Sequence, residues 1–73
     1  MKEFALLRAL VSRPGDAVDR RTLLADVWGD PDRFDGAIVD QYVSYVRKKL
    51  AAAGTSTRIE TVRGVGYRIR SGG

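Results

Sequence analysis

Cysteine and histidine are both missing from these 73 residues, and proline occurs only twice. Without cysteine there is neither a disulfide framework nor a thiolate metal site, so stability rests on packing alone. Without histidine the chain lacks the commonest general base near neutral pH and the commonest transition-metal ligand. No apolar run approaches the ~18 residues of a membrane span, and nothing has the pattern of a signal peptide. We therefore expect a cytoplasmic protein with no membrane partner. A chain this short forms one domain and buries roughly 60% of its unfolded surface, so its core is small.

Catalytic constellations are equally scarce. The carboxylates fall at capping and loop positions with no acid/base pair among them. Gly64-Val65-Gly66 lacks the third glycine and the following helix of a phosphate cradle, and reads as a turn. Asp30, Asp32 and Asp35 lack the ligand order and terminal glutamate of a calcium loop. The expectation is no enzyme, no metal and no cofactor.

What is present is positive charge, unevenly placed. The net charge is +4, from 13 basic and 9 acidic side chains. Residues 1–36 hold six basic and seven acidic groups, whereas residues 37–73 hold seven basic and two acidic ones. A cationic second half suggests a phosphate-facing surface.

The apolar pattern predicts three helices and then a hairpin. Phe4, Leu7, Leu10 and Val11 lie at helical spacing over Lys2 to Ser12, and Arg13-Pro14-Gly15-Asp16 stops that segment. After the short extended pair Ala17-Val18, Asp19 is placed to cap a second helix, Arg20 to Trp28. Leu23, Leu24, Val27 and Trp28 give this helix its stripe, and Gly29 suits its left-handed end. Asp30 to Gly36 reads as a loop, with Asp35 placed to cap the next helix. That third helix, about Ala37 to Ala52, aligns Val39, Val43, Val46 and Leu50 on one narrow face. At ~100° per residue, Ala37, Gln41, Ser44, Tyr45 and Lys48 fall on the opposite side. Gly54 ends it. Arg58 to Arg70 is rich in β-formers, with Gly64 and Gly66 expected to supply the turn's φ angles and Tyr67/Ile69 alternating with Arg68/Arg70. Ser71-Gly72-Gly73 reads as a frayed tail. The fold class is mostly α with a β-hairpin: a winged helix-turn-helix, whose hairpin is the wing.

Five segments carry a family resemblance that spans nearly the whole chain. They are Lys2-Glu3-Phe4-Ala5-Leu6-Leu7, Leu23-Leu24-Ala25-Asp26-Val27-Trp28-Gly29, Val39-Asp40, Val46-Arg47-Lys48-Lys49-Leu50, and Thr61-Val62-Arg63-Gly64-Val65-Gly66-Tyr67-Arg68. Together they resemble the OmpR/PhoB-type DNA-binding (effector) domain of two-component response regulators. The resemblance implies sequence-specific binding of double-stranded DNA for transcription regulation, as a dimer on tandem direct-repeat half-sites. It also implies a four-stranded platform ahead of the first helix and, before that, a receiver domain phosphorylated by a sensor histidine kinase. Neither lies within these residues, so 1–73 is expected to be an excerpt of a longer regulator.

The same resemblance assigns roles. Asp40, Gln41 and Tyr45 on the third helix match positions that read bases in the major groove, and Arg63 at the wing tip suits a narrow A·T-rich minor groove. For Asp40, a helix-dipole partner or an ion pair with Arg47 is an equal alternative. Trp28, Tyr42, Ser44, Arg47, Lys48, Thr61 and Tyr67 match positions that touch the DNA backbone. Asp32, Arg33, Phe34 and Asp35 lie in a loop that resembles a contact surface for RNA polymerase. Ala37 and Tyr45 depart from the family, which often has arginine there, so no operator sequence carries over. The competing reading is a protein-interaction module on a winged-helix scaffold.

Overall fold

Leu6 and Leu10, one helical turn apart and fully buried, anchor α1 (Lys2–Val11) to the core. The computed structural model describes residues 1–70, and the expected frayed tail at Ser71-Gly72-Gly73 lies outside the described residues. The stripe expected for α1 is only partly the one observed. Phe4 is 63% exposed and Val11 52%, while Leu7 is half-buried. Apolar residues occur on almost every side of this short helix, so their spacing does not select which pair faces inward; packing does.

Beyond the Pro14 turn, Val18–Asp19 forms a two-residue strand, β1, which leads at once into α2 (Arg20–Trp28). Asp19 caps α2 as expected: its backbone is extended and its Oδ1 accepts from the Thr22 amide at 2.6 Å. Gly29 ends the helix in the left-handed conformation at φ 88°. Leu23, Leu24 and Val27 are buried, and Trp28 is half-buried against them. The loop to α3 (Ala37–Ala53) closes with Asp35 Oδ1 accepting from the Ala37 amide at 3.0 Å. Val39, Val43 and Val46 are buried and Leu50 partly so, which is the inward face the spacing demanded.

The wing is larger than a hairpin. Strands β2 (Arg58–Val62) and β3 (Gly66–Arg70) pair antiparallel, and β1 adds to the other edge of β3, giving the order β1-β3-β2. Val18 lies opposite Tyr67, and Asp19 opposite Gly66. This contact gives Gly66 its purpose. A Cβ there would lie 2.2 Å from the Val18 carbonyl oxygen, so glycine is required by close approach and not, as the sequence suggested, by turn geometry. Gly64 meets the turn requirement alone, at φ 75°, in a turn closed by Val65 N–H to Val62 O at 3.0 Å. Ile59, Tyr67 and Ile69 face inward from the sheet, completing one core with the three helices. Among the described residues no buried side-chain polar atom is left without a partner.

Candidate nucleic-acid interface

The outer side of α3 is polar and open. Gln41, Ser44, Tyr45 and Lys48 are exposed, with Ala37 at the head of the row, while Val39, Val43 and Val46 hold the opposite side to the core. Gln41 and Tyr45, one turn apart, are joined by a hydrogen bond from the amide Nε2 to the phenol oxygen at 2.8 Å. Tyr45 packs edge-on against Tyr42 at 5.5 Å between centroids, and Tyr42 against Trp28 at 5.2 Å. Lys2 closes the row: its ammonium lies over the Trp28 ring and donates to the Val27 carbonyl at the end of α2. An aromatic ladder thus runs from the C-terminus of α2 onto the outer face of α3.

The three consecutive cations of α3 point to three different tasks. Arg47 reaches the wing, where its guanidinium donates twice to the Ile59 carbonyl (3.0 and 2.8 Å) and once to the Thr61 hydroxyl (3.0 Å). Lys49 turns back to α1 and pairs with Glu3 at 2.6 Å. Lys48, between them, is exposed and forms no ion pair among the described residues.

Asp40 sits where α2, α3 and the sheet meet. It accepts from Arg20 Nε at 2.8 Å and, in a short hydrogen bond, from the Tyr67 hydroxyl. Tyr67 is buried, with the guanidinium groups of Arg20 and Arg47 beside its ring at 5.4 and 5.6 Å. Desolvation alone would raise the Asp40 carboxyl, but the hydrogen bonds from Tyr67 and Arg20, aided by the Arg20 charge, outweigh it and hold it below the ordinary aspartate range. Tyr67 shifts upward, through burial first and then its bond to the carboxylate. The Asp40 carboxylate is therefore engaged within the domain. The alternative ion pair with Arg47 fails because Arg47 is turned to Ile59 and Thr61, and Arg20 takes its place. No local signal marks Arg20, since its link to Asp40 spans 20 residues with no pattern between them.

At the wing, Arg63 occupies the turn between β2 and β3 and is exposed, with no ion pair among the described residues. Arg68 and Arg70 line the outer side of the sheet and share Glu60, at 2.7 and 3.1 Å. In the loop from 30 to 36, Asp32 pairs with Arg21 at 2.8 Å, Arg33 is exposed, and Phe34 is 37% exposed. Asp35, expected to cap α3, accepts from the Ala37 amide, but the N-cap position itself is Gly36, which has no side chain to bond. The described residues contain no cluster of metal-ligating side chains, and no described helix is long and apolar enough to cross a membrane.

Three helices, of which α2 and α3 form a helix-turn-helix with a polar row on α3, and a sheet whose β2–β3 turn carries an exposed arginine define the winged-helix class of DNA-binding domain. The chain belongs to the family of C-terminal domains of transcriptional regulatory proteins, whose model matches residues 1–69. It is 44% identical over 68 residues to the response regulator MprA of Mycobacterium leprae, covering 93% of this chain and 30% of that protein. To the transcriptional regulatory protein TcrA of Mycobacterium tuberculosis it is 43% identical over 72 residues, covering 99% of this chain and 28% of that one. The chain thus spans less than a third of these curated relatives. Among solved structures, the DNA-binding domain of the response regulator AdeR, in complex with an intercistronic region, superposes with a TM-score of 0.84 at 31% identity, covering 97% of this chain and 74% of that one. The DNA-binding domain of Bacillus subtilis CssR superposes at 0.79 with 32% identity, covering 93% and 73%. At the level of the family, this is a DNA-binding effector domain of the response-regulator type and not an enzyme.

Proposed function

We propose that this domain reads a specific duplex by placing α3 in the major groove and the Arg63 turn in the adjacent minor groove. The observation that carries the reading is the polar row Ala37, Gln41, Ser44, Tyr45 and Lys48 on the face of α3 opposite its buried valines. Gln41 and Tyr45 face bases in this reading, and Arg63 enters the minor groove. Lys48, Ser44 and the hydroxyls of Tyr42 and Thr61 contact phosphates, with the Trp28 indole N–H at the edge of the same surface. Asp40, Arg47 and Tyr67 serve it indirectly, by holding the wing at a fixed angle to α3.

The domain acts as one of a pair on tandem direct-repeat half-sites about one helical turn apart. In a cytoplasmic regulator of the length of its relatives, a sensor histidine kinase phosphorylates a receiver domain, and that event promotes pairing on DNA. The loop with Asp32, Arg33, Phe34 and Asp35 faces RNA polymerase. Support comes from its position at the entry to α3 and from its acidic character, which suits a protein partner better than a phosphate backbone.

Binding selection on random duplexes, repeated at about 50 and about 200 mM salt, tests the reading. We expect one reproducible motif, and affinity that falls with salt by ~0.9 in log K per log salt for each phosphate neutralised. Binding that is salt-insensitive, or that selects no motif, contradicts it and favours the protein-interaction scaffold.

A further inference from the structure

The Gln41–Tyr45 hydrogen bond does more than decorate an exposed face. A free glutamine on a helix surface rotates about three bonds, and ordering it on a base costs side-chain entropy comparable to that of other long polar residues. Here the Nε2 end is held at 2.8 Å by the Tyr45 phenol. Tyr45 in turn is held edge-on by Tyr42, and Tyr42 by the half-buried Trp28. The carboxamide is thus tied, through two rings, to the end of α2.

With one Nε2 hydrogen engaged, the amide keeps its other hydrogen and the lone pairs of Oε1 for a base. That donor–acceptor pair complements adenine, which offers the N7 acceptor and the N6 amino donor side by side in the major groove. Guanine offers two acceptors, N7 and O6, and sets Oε1 against O6. In the rest of the row Ala37 presents a methyl and Ser44 a hydroxyl, Lys48 is assigned to phosphate in the reading above, and beside the row Arg47 is committed to Ile59 and Thr61.

We infer that Tyr45 is a positioning residue that fixes the Gln41 amide for adenine, making an A·T pair the discriminated position of the half-site. The inference rests on the DNA-reading role of α3 proposed above. It commits Tyr45 to acting through Gln41, separately from any contact of its own ring.

Selection and then anisotropy titration, run on the wild type, Gln41→Ala and Tyr45→Phe, tests it. The wild type is expected to select adenine at one position by about 10-fold or more over guanine, within the range of one bidentate contact. Gln41→Ala abolishes the preference at that position alone. Tyr45→Phe keeps the ring and its packing on Tyr42 but frees the amide, so the same preference falls about 3- to 10-fold. Its melting temperature and salt slope stay those of the wild type, which a merely structural tyrosine would not combine with altered specificity. The double variant loses no more than Gln41→Ala, and a probe with 7-deazaadenine at that position, which lacks N7, erases the difference between wild type and Tyr45→Phe. Salt-dependent binding in which Tyr45→Phe keeps full discrimination, or in which Gln41→Ala relaxes a guanine position, overturns this inference alone. A wild type that binds no duplex overturns it together with the reading it rests on.

Discussion

Gly64 has open space around it and a φ of 75°, so Gly64→Ala adds only backbone strain, about 1–2 kcal/mol. Gly66, two residues on, has no positive φ but lies against β1, and Gly66→Ala drives a methyl into the Val18 carbonyl. We expect the second substitution to cost more, about 3 kcal/mol or above, because backbone on both sides must shift. Urea denaturation of the two variants measures the order. At Asp19 the effect is conventional: Asp19→Ala removes the cap on α2 and lowers stability by about 1 kcal/mol. Arg63 belongs to function instead. Arg63→Ala leaves the melting temperature unchanged, weakens duplex binding, and flattens the preference for A·T flanks; a titration in which affinity and flank preference are both retained rejects the minor-groove role.

Between elements, the junction at Asp40 is where structure departs most from the linear pattern. Helical angle places Asp40 near the outer row, but angle alone does not say what packs beside a residue at the boundary of a face. The Tyr67 hydroxyl and Arg20 claim it, and Arg47 is claimed by Ile59 and Thr61. Asp40→Ala leaves the Tyr67 hydroxyl without its partner, and we expect a loss of about 1–3 kcal/mol in thermal denaturation. A base-reading aspartate would instead change specificity at constant stability, so the same variant distinguishes the two roles. The depressed carboxyls set the acid response. Asp19 is lowered by the Thr22 backbone hydrogen bond above all, Glu60 by Arg68 and then Arg70, and Asp40 by its bonds from Tyr67 and Arg20 against the opposing effect of burial. A folded-state value below the unfolded one gives stability that is complete above the ordinary carboxylate range near pH 4 and lost as pH falls through the lower native values. The melting temperature should therefore be level from about pH 7 to 5 and drop below about 4, with a shallower drop in Asp40→Asn.

Legibility differs by element for the same kind of reason. The α3 valines repeat along the helix and leave one solution, and Asp19, Gly29 and Gly54 mark helix ends through local chemistry. Strand β1 is two residues long and exists only through pairing with β3, a contact far along the chain that no local pattern encodes. On α1 the hydrophobic residues surround the axis, so spacing does not single out Leu6 and wrongly turns Phe4 and Val11 inward. The Gln41–Tyr45 spacing of one helical turn is visible in the sequence, yet nothing there says that the two side chains bond to each other.

Over the whole molecule, the basic groups of the second half do not form one uniform patch. Glu60 occupies Arg68 and Arg70, Glu3 occupies Lys49, and the wing occupies Arg47. The other three cations of this half form no ion pair among the described residues: Arg58 at the start of β2, and Lys48 and Arg63, which lie on α3 and on the turn of the sheet that Arg47 and Asp40 fasten to it. Surface ion pairs of this kind add little to stability, so their consequence is mainly to decide which cations stay available.

Backbone-amide chemical shifts recorded while a selected duplex is added give the most direct view of that division. Changes should cluster on the outer row from Ala37 to Lys48 and on the turn around Arg63, with the exposed Phe4 and Val11 side of α1 silent. Shifts gathered on α1 with α3 unmoved would contradict the account at its centre.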